Sequence, residues 1–181
     1  MRIIAGEFRS RQLKSIPGLD TRPTPDRLRE SLFSIIQNEL DGAIFADLYA
    51  GTGSVGLEAL SRGASSVIFV ERSNKAAAIL RENIATLKAE TRTRLLMEKA
   101  TRAAEHLQAG IVFLDPPYKL ESEYTDCLEA LANGPTTLVL AQHDTRQKLA
   151  DTYGRLAKAR VLKQGDNAVT FYREAAISDA E

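Results

Sequence analysis

The sequence predicts an α/β fold: a doubly wound, largely parallel sheet of seven strands with helices on both faces. Three observations carry this. From AIFADLY onward, short apolar runs alternate strictly with stretches of helical periodicity, the pattern of βα units whose parallel sheet is buried on both sides. The first run leads into a glycine-rich loop that opens a helix. The last two runs, RLAKARVLKQ and NAVTFYRE, flank Gly165-Asp166 as an antiparallel hairpin. Five alternating strands and this hairpin make seven.

The elements follow in order. The opening IIAGEFRSRQLKSI has Gly6 between two short mixed segments and suggests a hairpin to about Ile16, set in a basic arm over residues 1–22. Residues 23–181 then form one domain, within the size a single core supports. In TRPTPDRLRESLFSIIQNEL, Thr24 is placed to cap a helix with Pro25 at its first position, and Leu28, Leu32, Ile36 and Leu40 share one face. SSVIFVE precedes a helix from Lys75 to about Lys88, RLLME one near Arg102 to Leu107, and GIVFLD one around Glu123 to Leu131. TTLVLAQ precedes a helix expected near Arg146 to Tyr153.

Composition removes several classes of function. No apolar run approaches a membrane span, and the N-terminus lacks an apolar signal core, so a cytoplasmic protein without membrane contact is expected. The size suggests a monomer. Cys127 is alone and cannot form an internal disulfide, and His106 and His143 supply no metal-ligand cluster. All three are expected as structural or surface residues, His143 at a helix start or on the surface. Net charge is zero, yet residues 1–30 carry seven basic side chains against four acids, a net of +3 that the rest of the chain offsets. Such an arm can meet phosphates, or it can be a solvated hairpin surface.

DLYAGTGSVG places Gly51, Gly53 and Gly56 in G-x-G-x-x-G spacing after a strand. Two carboxylates narrow the ligand. Glu71 ends the second strand, where an acid can hold both hydroxyls of a ribose. Asp47 ends the first strand, where it would repel a dinucleotide's phosphates but attract the ammonium and sulfonium of S-adenosylmethionine (SAM). That cofactor is therefore expected ahead of NAD.

Strand four leads into Asp115-Pro116-Pro117-Tyr118, a nearly rigid rod, because each proline fixes its own φ and restricts the residue before it. In a doubly wound sheet this rod faces the glycine loop across the switch point between strands one and four. An exocyclic base amine is a poor nucleophile because its lone pair is delocalised into the ring. Held by the Asp115 carboxylate and the Pro116 carbonyl, its nitrogen is drawn towards tetrahedral geometry, and Tyr118 can stack on the extruded base.

D-P-P-Y resembles the signature of amino-group methyltransferases, and the strand count resembles the seven-stranded sheet of SAM-dependent methyltransferases. MRIIAG, TRPTPDRLRESLF, DLYAGTGSVGLEALSRGA, VIFVERS, FLDPPY and GDNAVTFYR together resemble the RsmD type of bacterial small-subunit ribosomal RNA guanine-N2 methyltransferases, from Met1 to about Arg173. The resemblance implies cofactor contacts at Asp47, Gly51, Gly53 and Glu71, with Tyr49, Ala50, Thr52, Arg72 and Glu98 beside them. It implies a catalytic motif at Asp115, Pro116, Pro117 and Tyr118, and a segment near the cofactor and the RNA at Arg22, Thr24 and Arg27; the charge of the basic arm adds Arg2, Arg9, Arg11 and Lys14 to the RNA-facing set. The implied partner is small-subunit ribosomal RNA or a ribosomal particle. Two positions depart from the family pattern: Glu98-Lys99 stands where Gly-Asp is usual, and strand five ends in Ala141-Gln142-His143 where an acid is common. A DNA adenine-N6 methyltransferase and a non-catalytic RNA-binding module with the same fold remain the alternatives.

Overall fold

The computed structural model describes residues 1–16, 24–117 and 120–175. Tyr118 and Arg22 lie outside them. Five strands, β1 (Ile44–Asp47), β2 (Ser66–Val70), β3 (Thr93–Leu96), β4 (Ile111–Leu114) and β5 (Leu138–Asp144), run parallel. Three more, β6 (Thr152–Tyr153), β7 (Leu156–Gln164) and β8 (Asn167–Glu174), complete the sheet antiparallel. The spatial order is β3-β2-β1-β4-β5-β8-β7-β6, with β8 inserted beside β5. The chain thus winds outward from β1 to β3 and then jumps back to place β4 against the other side of β1.

Alternation along each strand builds two cores. Phe45, Phe69, Phe113, Leu138, Leu140 and Phe171 face one side, where they meet α1 (Asp26–Leu40), α2 (Ser54–Ser61) and α3 (Asn74–Thr86). Ala46, Val112, Leu114, Val139, Ala141 and Tyr172 face the other, against α4 (Ala100–His106) and α5 (Ser122–Ala132). The small residues Ala100, Ala103 and Ala104 let α4 sit close on that second face.

The first helix shows which force holds an element here. Leu28, Leu32, Ile36 and Leu40 are all fully buried, each worth about 1.5 to 3 kcal/mol. The expected Thr24 cap does not form: Pro25 occupies the cap position without a side-chain bond, and the Thr24 hydroxyl donates instead to Gln142 on β5 at 2.9 Å. A cap contributes typically about 1 kcal/mol. Burial of one face therefore outweighs the missing cap several times over.

The N-terminal segment keeps a short part of the expected hairpin. Its ladder contact among the described residues is one antiparallel bridge between Arg2 and Gln12, flanked by bonds from Ile3 N to the Arg11 carbonyl at 3.0 Å and from Leu13 N to the Met1 carbonyl at 2.8 Å, while the side chains of Ile3, Phe8 and Leu13 pack into the core. The segment is tied down by a buried carboxylate. Glu58 of α2, fully buried, accepts from Ile4 N at 2.8 Å, Ala5 N at 3.1 Å and Arg62 Nε at 2.6 Å, with Arg29 Nε at 3.9 Å. Arg29, also fully buried, donates to the Arg2 carbonyl at 2.7 Å and to Asp26 at 3.0 Å.

The helix expected near Arg146 to Tyr153 is absent, and β6 stands at its end as an eighth strand. A parallel neighbour requires a long crossover, but β5 is followed by antiparallel strands that do not. Local bonds hold the link instead: Asp144 accepts from Arg146 N at 2.9 Å and from its guanidinium at 2.8 Å, and Tyr172 donates to the Ala150 carbonyl at 2.6 Å. His143 is also not a surface or helix-start residue. It lies on β5, 6% exposed, where Nδ1 donates to the Asp144 carbonyl and Nε2 accepts from the Thr170 hydroxyl, each at 2.8 Å. Burial lowers its pKa, so it is a neutral structural imidazole. Cys127 is fully buried on α5 as expected.

Replacing Glu58 with Ala strips the Arg29 guanidinium of its buried counter-charge and leaves two backbone N–H groups without an acceptor. Urea unfolding of Glu58→Ala should show a loss of about 3 to 5 kcal/mol, the range for breaking one side of a buried ion pair.

Candidate active site

The reversal between β1 and β4 leaves a crevice at the carboxyl ends of the parallel strands, and there the structure has a cleft of about 960 Å³. Its walls come from the loop after β1, the ends of β2 and β3, the rod after β4, and the segment leading into α1. Asp47, Tyr49, Ala50, Gly51, Thr52, Glu71, Arg72 and Glu98 all line it, and so do Asp115, Pro116, Pro117 and Thr24.

The glycine loop is held in place from both sides. Leu48 N donates to the Phe113 carbonyl at 3.0 Å and Ala50 N to the Val70 carbonyl at 3.1 Å, which continues the sheet's pairing into the loop. Gly53 sits at the start of α2 with φ of 88°, a left-handed conformation in which a side chain would also strike Leu80. It shapes the turn without lining the cleft. Gly56 lies against β2: a Cβ there would come within 2.3 Å of the Phe69 ring, so only glycine lets the helix approach the strand so closely.

Two carboxylates face each other across the crevice floor. Asp47, 2% exposed, accepts from Gly56 N through Oδ2 at 3.0 Å, while its buried Oδ1 has no partner. Burial pushes its carboxyl up to about 7 against the bond from Gly56, and the charge of Glu71 adds to the rise. Asp115, which keeps an edge open to the cleft, is pushed up to about 7 by burial and by the charge of Asp47. Its Oδ2 accepts from Gln142 Nε2 at 3.2 Å. Among the described residues no hydrogen bond reaches the Pro116 carbonyl, whereas that of Pro117 accepts from Leu120 N at 2.9 Å.

Glu71 carries a structural task beyond the one expected. One oxygen accepts from Gly51 N at 2.8 Å and the other from Ser73 N at 2.7 Å, so it pins the glycine loop to the start of α3. Each oxygen retains a second lone pair for a ligand. Glu98 lines the cleft, yet its carboxylate runs along α4 to His106 at 3.2 Å and Arg102 at 3.7 Å. The Tyr49 hydroxyl donates to Glu123 of α5 and lies 3.7 Å from Cys127 Sγ, which turns it away from the floor. Burial, first of all, raises the Tyr49 phenol and pushes the Cys127 thiol up to about 12, so neither ionises near neutrality.

Among the described residues, the basic side chains expected to face RNA are not brought into the cleft. Arg2, Arg9, Arg11 and Arg27 are exposed, and Lys14 forms a surface ion pair with Glu82 at 2.6 Å. Residues not singled out from the sequence join the lining instead, among them Met1, Ser15, Ile16 and Glu123. Nothing in their local sequence marks them, since only the docking of the N-terminal segment and of α5 brings them there. Among the described residues no group of His, Cys, Asp and Glu could hold a metal ion, and no helix is long and apolar enough to cross a membrane.

Comparison with known proteins places this arrangement. A family model described as "Conserved hypothetical protein 95" matches residues 1–173. The Bacillus subtilis protein named "Putative rRNA methyltransferase YlbH" is 36% identical over 182 residues, covering 96% of this chain and 99% of that one. Ribosomal RNA small subunit methyltransferase D of Escherichia coli is 40% identical over 123 residues, 66% of this chain and 61% of that protein. The chain belongs to the RsmD-type family. A solved structure, "Putative methyltransferase yhhF from Escherichia coli", shares the fold at a TM-score of 0.85 with 30% identity, covering 97% of this chain and 99% of that one. The family's fold is the Rossmann-like sheet of SAM-dependent methyltransferases, here with eight strands rather than the expected seven.

The floor makes one prediction about stability. Asp47 has its folded pKa raised from 3.8 to about 7, so its burial costs nothing below about pH 4 and the full penalty above about pH 7. Asp47→Asn removes that penalty. Its stability relative to wild type, read by urea unfolding, should improve by about 2 to 4 kcal/mol between pH 4 and pH 8.

Proposed function

We propose that this protein methylates the exocyclic N2 amine of a guanine in small-subunit ribosomal RNA, using SAM. The observation that carries the reading is the meeting, in one cleft, of an unpaired buried oxygen on Asp47 with the open edge of Asp115 and with Pro116, whose carbonyl accepts no hydrogen bond from the described residues. The names of the relatives support the coarser part, a SAM-dependent methyltransferase acting on ribosomal RNA.

The residues fit SAM by the chemistry they offer. A buried, half-paired carboxylate wants a cationic partner, because its charged form is otherwise disfavoured. Asp47 would hold the ammonium end, Glu71 the ribose hydroxyls, and Gly51 and Thr52 the close backbone wall. Val55, Val70, Ala76 and Ala100 give the same cleft an apolar surface suited to a base. With the Glu98 carboxylate engaged on α4, backbone groups around Lys99 and Ala100 are left to meet the adenine edge. When bound, SAM supplies a methyl group activated by a sulfonium.

Asp115 and the Pro116 carbonyl do the rest of the work on the substrate side. Each accepts one hydrogen of the amine, which localises its lone pair and aims it across the cleft; acceptors fixed before the reaction stabilise the developing charge without reorganisation. The proline rod supplies that fixity. Tyr118, outside the described residues, would stack on the base.

Mass spectrometry of nucleosides from small-subunit ribosomal RNA incubated with SAM and protein should reveal N2-methylguanosine, and Asp115→Ala should lower its rate of formation about 30- to 1,000-fold, the range for losing one preorganised polar partner. N6-methyladenosine in its place would assign the other base.

The exposed Arg9 and Arg11 form no ion pair among the described residues, so their charge is free to meet phosphate. Reversing both to Glu should weaken RNA binding and flatten its salt dependence by about two phosphate contacts or more. Filter binding across a salt series checks this, with SAM affinity as the control.

A further inference from the structure

The carboxyl end of β5 holds a polar chain that neither the glycine loop nor the proline rod accounts for. Gln142 is 3% exposed, on the strand beside β4. Its Nε2 donates to Asp115 Oδ2 at 3.2 Å, its Oε1 accepts from the Thr24 hydroxyl at 2.9 Å, and its backbone carbonyl accepts from the Tyr124 hydroxyl at 2.6 Å. Thr24 is 5% exposed, two residues before α1, and itself lines the cleft. The amide is thus gripped at both ends and its backbone at a third point. The Thr24 hydroxyl donates to the amide oxygen, which leaves the amide nitrogen as the end that faces Asp115.

We propose that Gln142 is a positioning residue for methyl transfer: it occupies one oxygen of Asp115 and presents the other to the cleft, and Thr24 ties the segment before α1 to that same amide. This rests on the function proposed above. A carboxylate held only by its own χ angles can rotate and exchange its two oxygens; one bonded to a fixed donor has a single orientation, and orientation is what the amine's lone pair requires. A neutral amide suits the task better than a basic side chain. Lysine or arginine at this place would neutralise Asp115 and repel a cationic cofactor. The same geometry gives the N-terminal segment a direct hold on the reacting centre, because a ligand that shifts Thr24 shifts the partner of Asp115.

The test uses the full chain with SAM and small-subunit ribosomal RNA, and compares Gln142→Leu, Thr24→Val and Thr24→Ser with wild type. Gln142→Leu should lower kcat about 10- to 100-fold while the SAM dissociation constant, read by calorimetry, moves less than about threefold, within the scatter of a site left intact. Thr24→Val should lower kcat in the same direction by a smaller factor, and Thr24→Ser, which keeps the hydroxyl, should recover most of the loss. A second measurement is independent of turnover: the carboxyl carbon of Asp115 followed by NMR titration. A donor favours the ionised carboxylate, so the midpoint should rise in Gln142→Leu. The charged group acting on Asp115 from β1, Asp47, is the same in both proteins and cancels in the difference. If kcat and the Asp115 midpoint of folded Gln142→Leu both match wild type, the positioning role is overturned and the proposed function stands. If wild type transfers no methyl group to RNA, the function is overturned and the role falls with it.

Discussion

The pairing of β4 against β1 is the constraint from which the site follows. Ala46 opposite Val112 and Asp47 opposite Phe113 set a register in which two strands distant in sequence end at the same level. Their next residues then have nowhere to go but over the same edge of the sheet. One carboxylate closes β1, another follows β4, and burial raises both pKa values, with the charge of Glu71 adding to the rise at Asp47 and that of Asp47 to the rise at Asp115. Neither position would be unusual alone. Together they form a floor that is under-neutralised in the free protein and matched to a positively charged ligand.

A second buried ionic cluster serves a different end. Glu58, Arg29 and Arg62 lie among α1, α2 and the N-terminal segment, and the Glu58 carboxylate spends most of its capacity on backbone N–H groups. Such a cluster adds little net stability compared with an apolar core, but it allows only one placement of the segment it binds. That placement puts Met1, Ser15 and Ile16 on the wall of the cleft. The arm is therefore not an appendage beside the site but part of its enclosure, while Arg9 and Arg11 stay on the outside.

Polar groups near the floor fall into two kinds. Those with every capacity met are structural, as with His143 between Asp144 and Thr170, or Tyr124 on the Gln142 carbonyl. Those with capacity left over face the cleft: Asp47 Oδ1, the open edge of Asp115, and the second lone pairs of Glu71. Incomplete satisfaction of a buried group is costly in a folded protein, and at Asp47 Oδ1 the cleft gives a ligand access to the group that bears the cost.

Much of this was legible in the sequence. Alternating apolar runs imply parallel strands, and glycine spacing with acids at two strand ends implies a nucleotide-like site, because these rest on short-range periodicity and steric rules. Gly53 is glycine for its left-handed backbone and Gly56 for the close packing of helix on strand. What required tertiary structure was every feature set by contacts between distant segments. The expected cap at Thr24 became a bond to Gln142, the expected helix after β5 gave way to an antiparallel return, and His143 went inside. In each case a partner more than a hundred residues away, or a change in strand direction, outweighed a local preference worth about 1 kcal/mol. Local chemistry thus decided which residues could form a site; the strand order decided which of them meet.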